Sequence, residues 1–325
     1  MVRSSVGLGA MAILLAALPW QARADVTLRY HATLKMGAML PPQAAGALPQ
    51  MPDTIVQLHG SQARVDGAMT EILDLSRQQC TLLDPPHERY ATVPLNDLAA
   101  EMSAAMPKAA TSPAARQMLA NMQFAVDSRV TGKTDTILGV QVQETLLTMT
   151  MTMKAPATAN PAAAAALQGP LVRIEMSVWT SLPAESQRLK PLAELESFSQ
   201  LQQMLFMGGA QSGMDALPPQ FREGMQSAMK AIQKAQGALL RMHMTMYMPM
   251  MAAIIQMARA KQGAGAPPNP ALDKLDPSAP LGEVTMEATQ LSADAVDPAV
   301  FAIPSAYQPE PLADLMKAMQ PAARH

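Results

Sequence analysis

The sequence predicts an α+β protein built on an antiparallel sheet, with helices gathered on one face. Three observations carry this. Residues 26–36 alternate apolar and polar without a break, the period of a strand with one wet face. Residues 71–95, EILDLSRQQCTLLDPPHERYATVPL, read as three short strands joined by tight turns. Most links between strand-like segments are of hairpin length, and the helical patterns fall into blocks, which favours an antiparallel sheet with a segregated helical layer.

The first 24 residues read as a leader. Arg3 gives a positive start, Val6 to Leu18 is an apolar run too short to span a bilayer, and Ala22-Arg23-Ala24 supplies an A-x-A site. Cleavage is therefore expected after Ala24, with export to the periplasm. No cysteine lies near the cut and no later run reaches ~18 uninterrupted apolar residues, so neither a lipid anchor nor a transmembrane anchor is expected. Removing Arg3 and Arg23 from the 24 basic residues leaves 22 against 26 acidic, a net charge of −4. That balance argues against nucleic acid as a partner. Cys80 is the single cysteine, so no internal disulfide can form, and its place in a strand predicts a small buried hydrophobe.

In chain order, Val26 to Met36 is the first strand, with Val26, Leu28, Tyr30, Ala32, Leu34 and Met36 on one face. Residues 37–52 form a Pro- and Ala-rich loop. Thr54 to Val65 reads as one strand, and Asp66-Gly67 is a hairpin signal leading into the meander. Within the meander Ser76-Arg77-Gln78 and residues 84–88 make the turns. Pro94 closes it. Asn96 is positioned to cap a helix from Asp97 that Pro107 stops, and Ser112-Pro113 restarts one.

Strands resume near Ala125. Residues 131–134, TGKT, read as a turn, followed by a short strand to Val140 and a longer one from Gln141 to Lys154. Residues 155–169 are a low-complexity Ala/Pro connection, and Leu171 to Thr180 returns as a strand. Pro191 opens a helix with Leu192, Leu195, Phe198 and Leu201 at helical spacing, and a second helix is expected over residues 219–236. Ala238 to Met248 and Leu281 to Leu291 are strands, separated by a flexible linker over residues 261–280. A single domain is thus expected over residues 25–312, ending in an ordered-looking stretch and a frayed tail over 313–325.

These pieces resemble the LolA-like half-barrel proteins of the bacterial envelope, and more narrowly a secreted bacterial family of unknown function with that fold. The matching residues are Ile72 to Leu75, Tyr90 to Pro94, TGKTDTILG (131–139), VRIEMSVWTS (172–181), and DPAVFAIPSAYQPEPL with Phe301, Pro304 and Tyr307. Members of that family carry a Gly-Cys pair after the ILG turn, where this chain has Val140 and Gln141. The resemblance implies an incomplete antiparallel barrel wrapped around helices. In relatives the space between sheet and helices holds lipoprotein acyl chains or lipids, and another relative senses envelope stress by binding a protein.

The residues themselves declare no reaction. The five histidines, His31, His59, His87, His243 and His325, form no i, i+4 ligand pair, and no H-E-x-x-H, G-x-S-x-G or Gly-rich phosphate loop occurs. The chain is not expected to be an enzyme, and no cofactor or His/Cys metal site is expected. Its unusual feature is 29 methionines against 3% aromatic residues. Met149, Met151 and Met153 share one strand face, as do Met242, Met244, Met246 and Met248, with i and i+2 side chains ~6.6 Å apart. If the two strands are neighbours, they make one pliable apolar wall suited to an acyl chain. At ~0.8 kcal/mol per buried methylene, a long chain gains on the order of 10 kcal/mol before entropy losses. The plainer alternative is that the rows fill a core, the chain being then a protein-interaction or sensor module. A third is Cu(I), which prefers thioether sulfur. The apolar stretch with Ile254, Ile255 and Met257 beside the flexible linker is the expected lid. A lipid or a lipoprotein is the expected partner; the sequence does not specify an oligomeric state.

Overall fold

Alternation at the N-terminus builds what it predicts. In the computed structural model, which describes residues 25–37, 51–67, 69–105, 121–154, 169–201, 223, 226, 227, 230, 236–250 and 279–319, β1 (Val26–Met36) buries Val26, Leu28, Tyr30 and Ala32 and leaves the residues between them wetter. The meander also forms as expected. It consists of β4 (Thr70–Asp74), β5 (Gln79–Asp84) and β6 (Arg89–Pro94), with a 3-10 turn at Pro85–His87.

The segment read as one strand over 54–65 is two. β2 (Thr54–His59) and β3 (Gln62–Asp66) form an antiparallel hairpin about Gly60 and Ser61. Gly60 turns there at φ 56°, a left-handed conformation that glycine adopts without a Cβ penalty. Helix α1 (Leu95–Ala105) starts two residues earlier than Asp97. Leu95 is 8% exposed and its N–H donates to the Gln78 carbonyl, so the meander's first turn docks the helix start.

A second difference lies in β7 (Met122–Ile137), which runs through the TGKT segment instead of turning there. Pairing with β8 (Val140–Met153) is interrupted between Val130 and Thr134 and then resumes. The Thr131 hydroxyl donates to the Glu144 carboxylate at 2.7 Å and Lys133 pairs with it at 3.3 Å, so side chains hold the irregular stretch against β8. The actual turn is Leu138-Gly139, with φ of 51° and 75°. Two consecutive positive φ values match the twist of a two-residue hairpin.

β9 (Pro170–Ser181) follows, then an unanticipated short helix α2 (Pro183–Arg188) with Pro at its first turn, then α3 (residues 190–201). The expected helix over 219–236 lies mostly outside the described residues; 223, 226, 227 and 230 are helical. β10 (Leu239–Tyr247) and β11 (Gly282–Ser292) are the expected strands. The C-terminal stretch adds a 3-10 turn at Pro298–Phe301 and β12 (Gln308–Pro309), which pairs parallel to β6. It ends in α4 (Leu312–Met319), where fraying was expected from Ala313. Leu312 and Leu315 are 3% and 0% exposed, so this helix belongs to the core and packs on α1 and β6.

The twelve strands among the described residues form one sheet in the order β12-β6-β5-β4-β3-β2-β1-β11-β10-β9-β8-β7. Every pairing but β12–β6 is antiparallel. Among the described residues the two ends do not pair with each other, so the sheet is open and the fold is α+β, an open sheet with few helices described. The main core joins the apolar face of the sheet to Leu192, Leu195 and Phe198 of α3 and Leu312 and Leu315 of α4. A second cluster, Ile72, Leu83, Val296 and Phe301, covers the other face of the meander with the C-terminal segment. No described helix is long and apolar enough to cross a membrane.

Candidate ligand-binding site

The two methionine rows do not lie on neighbouring strands, which was the condition set on the sequence. β9 runs between β8 and β10. The wall is nevertheless continuous, because β9 places its own apolar residues in register. Leu147 of β8 faces Met176 of β9, which faces Met244 of β10, which faces Val284 of β11, which faces Leu34 of β1. The next rung is Met149, Ile174, Met246, Gly282 and Met36. On the other side Val178 faces Met242, which faces Met286. Met151 pairs with Phe124 and Val172, and Met153 with Met122. Met248 lies just past the end of β10 and joins no rung. All seven methionines named from the sequence are half-buried. The expected lid residues Ile254, Ile255 and Met257 lie outside the described residues.

Along the methionine-bearing stretch the opposite face is polar. Arg241 donates to Glu287 at 2.8 Å and to Asp135 at 2.7 Å and lies over the Trp179 ring. Arg173 lies over Tyr247 at 4.5 Å, and His243 faces Glu283 at 3.7 Å. His243 therefore stands on the face away from the methionines. The other described histidines are likewise paired with aspartates: His31 with Asp53, His59 with Asp25 and His87 with Asp84. Among the described residues no three His, Cys, Asp or Glu side chains cluster as a metal would need.

Where the methionine face meets the helical layer there is a cavity of about 190 Å³. Tyr30, Thr54, Val56 and Val65 line it from β1–β3, Leu239 and Met286 from β10 and β11, and Leu195, Phe198 and Ser199 from α3. Helical spacing on α3 puts Leu195 and Phe198 on the sheet side, as the sequence pattern requires. Met286 belongs both to this lining and to the Met242 rung, so the cavity is continuous with the methionine face. The Tyr30 hydroxyl donates to the Leu239 carbonyl at 2.7 Å, and burial pushes that phenol's pKa up. The hydroxyls of Thr54 and Ser199 make no hydrogen bond among the described residues, which leaves both open to a polar atom of an occupant.

One residue of this face was not singled out from the sequence. Glu71 sits opposite Val65 and Leu82, in phase with Leu73 and the core. Burial pushes its carboxyl up and favours the protonated acid, against a weak opposing bond from the Cys80 thiol at 3.9 Å. Cys80 is 1% exposed, and burial followed by the Glu71 charge pushes its thiol up, so it is the buried hydrophobe expected. The signal for Glu71 was present in its parity: a glutamate spaced two residues from Leu73 points the same way.

No family model matches this chain, and no curated protein matches it. Among solved structures, that of PNGF-II in a C2 space group is similar at 8% sequence identity with a TM-score of 0.29. The match covers 86% of this chain, which spans 29% of that protein's length.

Proposed function

We propose that this chain is a periplasmic binding or carrier protein of the LolA-like half-barrel type, exported through its leader and cleaved after Ala24. Its cargo is a hydrophobic molecule, a lipid or acyl chain, held between the methionine-bearing face and α3. The observation that carries this reading is the junction at Met286, where an apolar cavity opens onto a half-buried methionine wall. An apolar void of roughly 150 Å³ holds a benzene-sized guest. The cavity is therefore the seat for one end of a chain, and the rungs from Met242 to Met149 are the track for the remainder. Unbranched, polarizable thioethers adapt to irregular cargo better than branched side chains do. The Thr54 and Ser199 hydroxyls supply polar anchors at the seat.

A second reading has its own observation. Met176 faces Met244 and Met242 faces Met286 on adjacent rungs, which brings four thioethers together in one patch. Such a group suits Cu(I).

Native mass spectrometry of protein purified from periplasm, with organic extraction and metal analysis, separates these readings. The carrier reading expects a co-purifying mass that extraction removes and that Met176→Ser with Met244→Ser weakens. Copper in stoichiometric amount would favour the second reading. Bare protein, with neither, would overturn both and leave an interaction or sensor module whose methionines fill a core.

A further inference from the structure

The two edges of the sheet are built differently. One ends in β12, two residues long and closed by Pro309, which has no N–H to offer a further strand. The other ends in β7, sixteen residues long, with no strand on its outer side among the described residues. A long open edge is a template for another strand unless something blunts it.

The charges on β7 show what fits there. Lys133 reaches back to Glu144 and Asp135 to Arg241, so both are used within the chain. Asp127 and Arg129 are exposed and have no ion pair or hydrogen bond among the described residues. They lie two apart on one face with opposite signs. Val130 is 62% exposed, the most of any large apolar side chain described. It stands on the other face, in register with Thr145 of β8, while Val126 is in register with Met149.

We propose that β7 pairs antiparallel with β7 of a second copy of this chain, about a twofold axis at Ser128. This register sets Asp127 of each copy opposite Arg129 of the other and Val126 opposite Val130. Directly opposed side chains in such a pair come within ~5 Å, close enough for both ion pairs and for valine contact. A register centred on Thr131 would instead oppose Arg129 to Lys133 and Asp127 to Asp135, like charges in both cases. It would also run through the break in pairing between Val130 and Thr134. Because opposed residues share a face, the pairing joins the two methionine walls into one surface. The proposal does not depend on what that surface binds.

The test is sedimentation of the purified full chain over a range of concentrations. A reversible dimer in the micromolar range is expected, as for a small interface. Arg129→Asp and Asp127→Arg should each weaken it at least ~10-fold, by turning two attractive cross-strand pairs into repulsive ones. The double variant, Asp127→Arg with Arg129→Asp, should restore it, because the swapped strand is again complementary to itself. Both positions are exposed, and an unchanged circular dichroism spectrum would show that folding is retained. A chain that stays monomeric to millimolar concentration overturns the proposal, whether water or another protein's strand takes the edge. So does a dimer that the single variants leave intact or that the swap fails to rescue.

Discussion

The meander and the methionine wing are parts of one sheet made by the same alternation, yet they are covered differently. In β2–β5, Leu58, Leu73, Cys80 and Leu83 are each at most 1% exposed. That half is enclosed twice, by α1 and α4 on one face and by the segment around Val296 and Phe301 on the other. In β8 and β10 the methionines are half-buried and the opposite face is a wet lattice of charges. Where neighbours are fixed, leucine and valine give a close fit. Where the neighbour varies, an unbranched thioether adapts. Residue type here follows burial, leucine and cysteine where the strands are sealed and methionine where they are half-buried.

The contrast breaks most visibly if the meander loses one of its covers. Phe301 is 7% exposed, packs with Ile72, Leu83 and Val296, and stacks on His59. Phe301→Ala should cost about 4 kcal/mol. Urea unfolding measures this as a fall in midpoint at constant slope. A loss no larger than that of a wing substitution would mean that the C-terminal segment is ornament on an already complete half.

A matched pair sharpens the contrast. Leu73→Ala leaves a void in a sealed core and should cost about 3 kcal/mol, while Met244→Ala removes a half-buried side chain and should cost about 1 kcal/mol. The same unfolding measurement decides. Equal costs would return the methionines to ordinary core and remove the physical reason for reading a wall in them.

How much of this was legible follows from which signals are local. The period of two in Val26–Met36 fixed β1 to the residue, and Pro94 marked the end of the meander. The hairpin at Gly60 was overlooked although its trace is in the pattern. Buried residues are Val56 and Leu58 before it and Ala63 after it, a change from even to odd positions that marks a break in the strand. TGKT has turn composition, but the Glu144 carboxylate across the strand decides its conformation, and no window on β7 contains that partner. The methionines share strand faces as read, except Met248, which falls past the end of β10. That β9 separates the two rows is strand order, a property of long-range pairing. A space between sheet and helices was expected from the resemblance, but its lining was not legible, since it depends on where α3 lies over β1–β3.

Glu71 offers a pH test inside the meander half, where it faces Val65 and Leu82. Its folded carboxyl is held above the ordinary glutamate value by burial. Its favourable contribution is thus present below the unfolded value, about 4.3, and is lost as pH rises through the folded one. Glu71→Gln keeps the shape and removes the charge. It should raise stability at neutral pH on the order of 1 kcal/mol, with the gain shrinking toward pH ~4. A gain independent of pH would mean that the carboxyl is not titrating against the core.

The smallest effect belongs to the wet side of the wing. Arg241 joins Glu287 of β11 to Asp135 of β7, reaching over β9 and β8 across the face opposite the methionines. First among the causes, the Arg241 hydrogen bond holds the Asp135 carboxyl below its ordinary value. A depressed carboxyl contributes stability above its unfolded value that is lost as pH falls through the folded one. Arg241→Ala should therefore flatten the acid side of the stability profile, its cost being full above the carboxylate range and vanishing as pH falls through it. Loss of the partly exposed Arg241–Glu287 pair should cost under about 1 kcal/mol and less still in high salt. A cost that matched Leu73→Ala would show that this lattice, not burial, holds the wing flat. The methionine face would then be free to change its contacts without endangering the fold, which is what a surface meant to receive a variable guest requires.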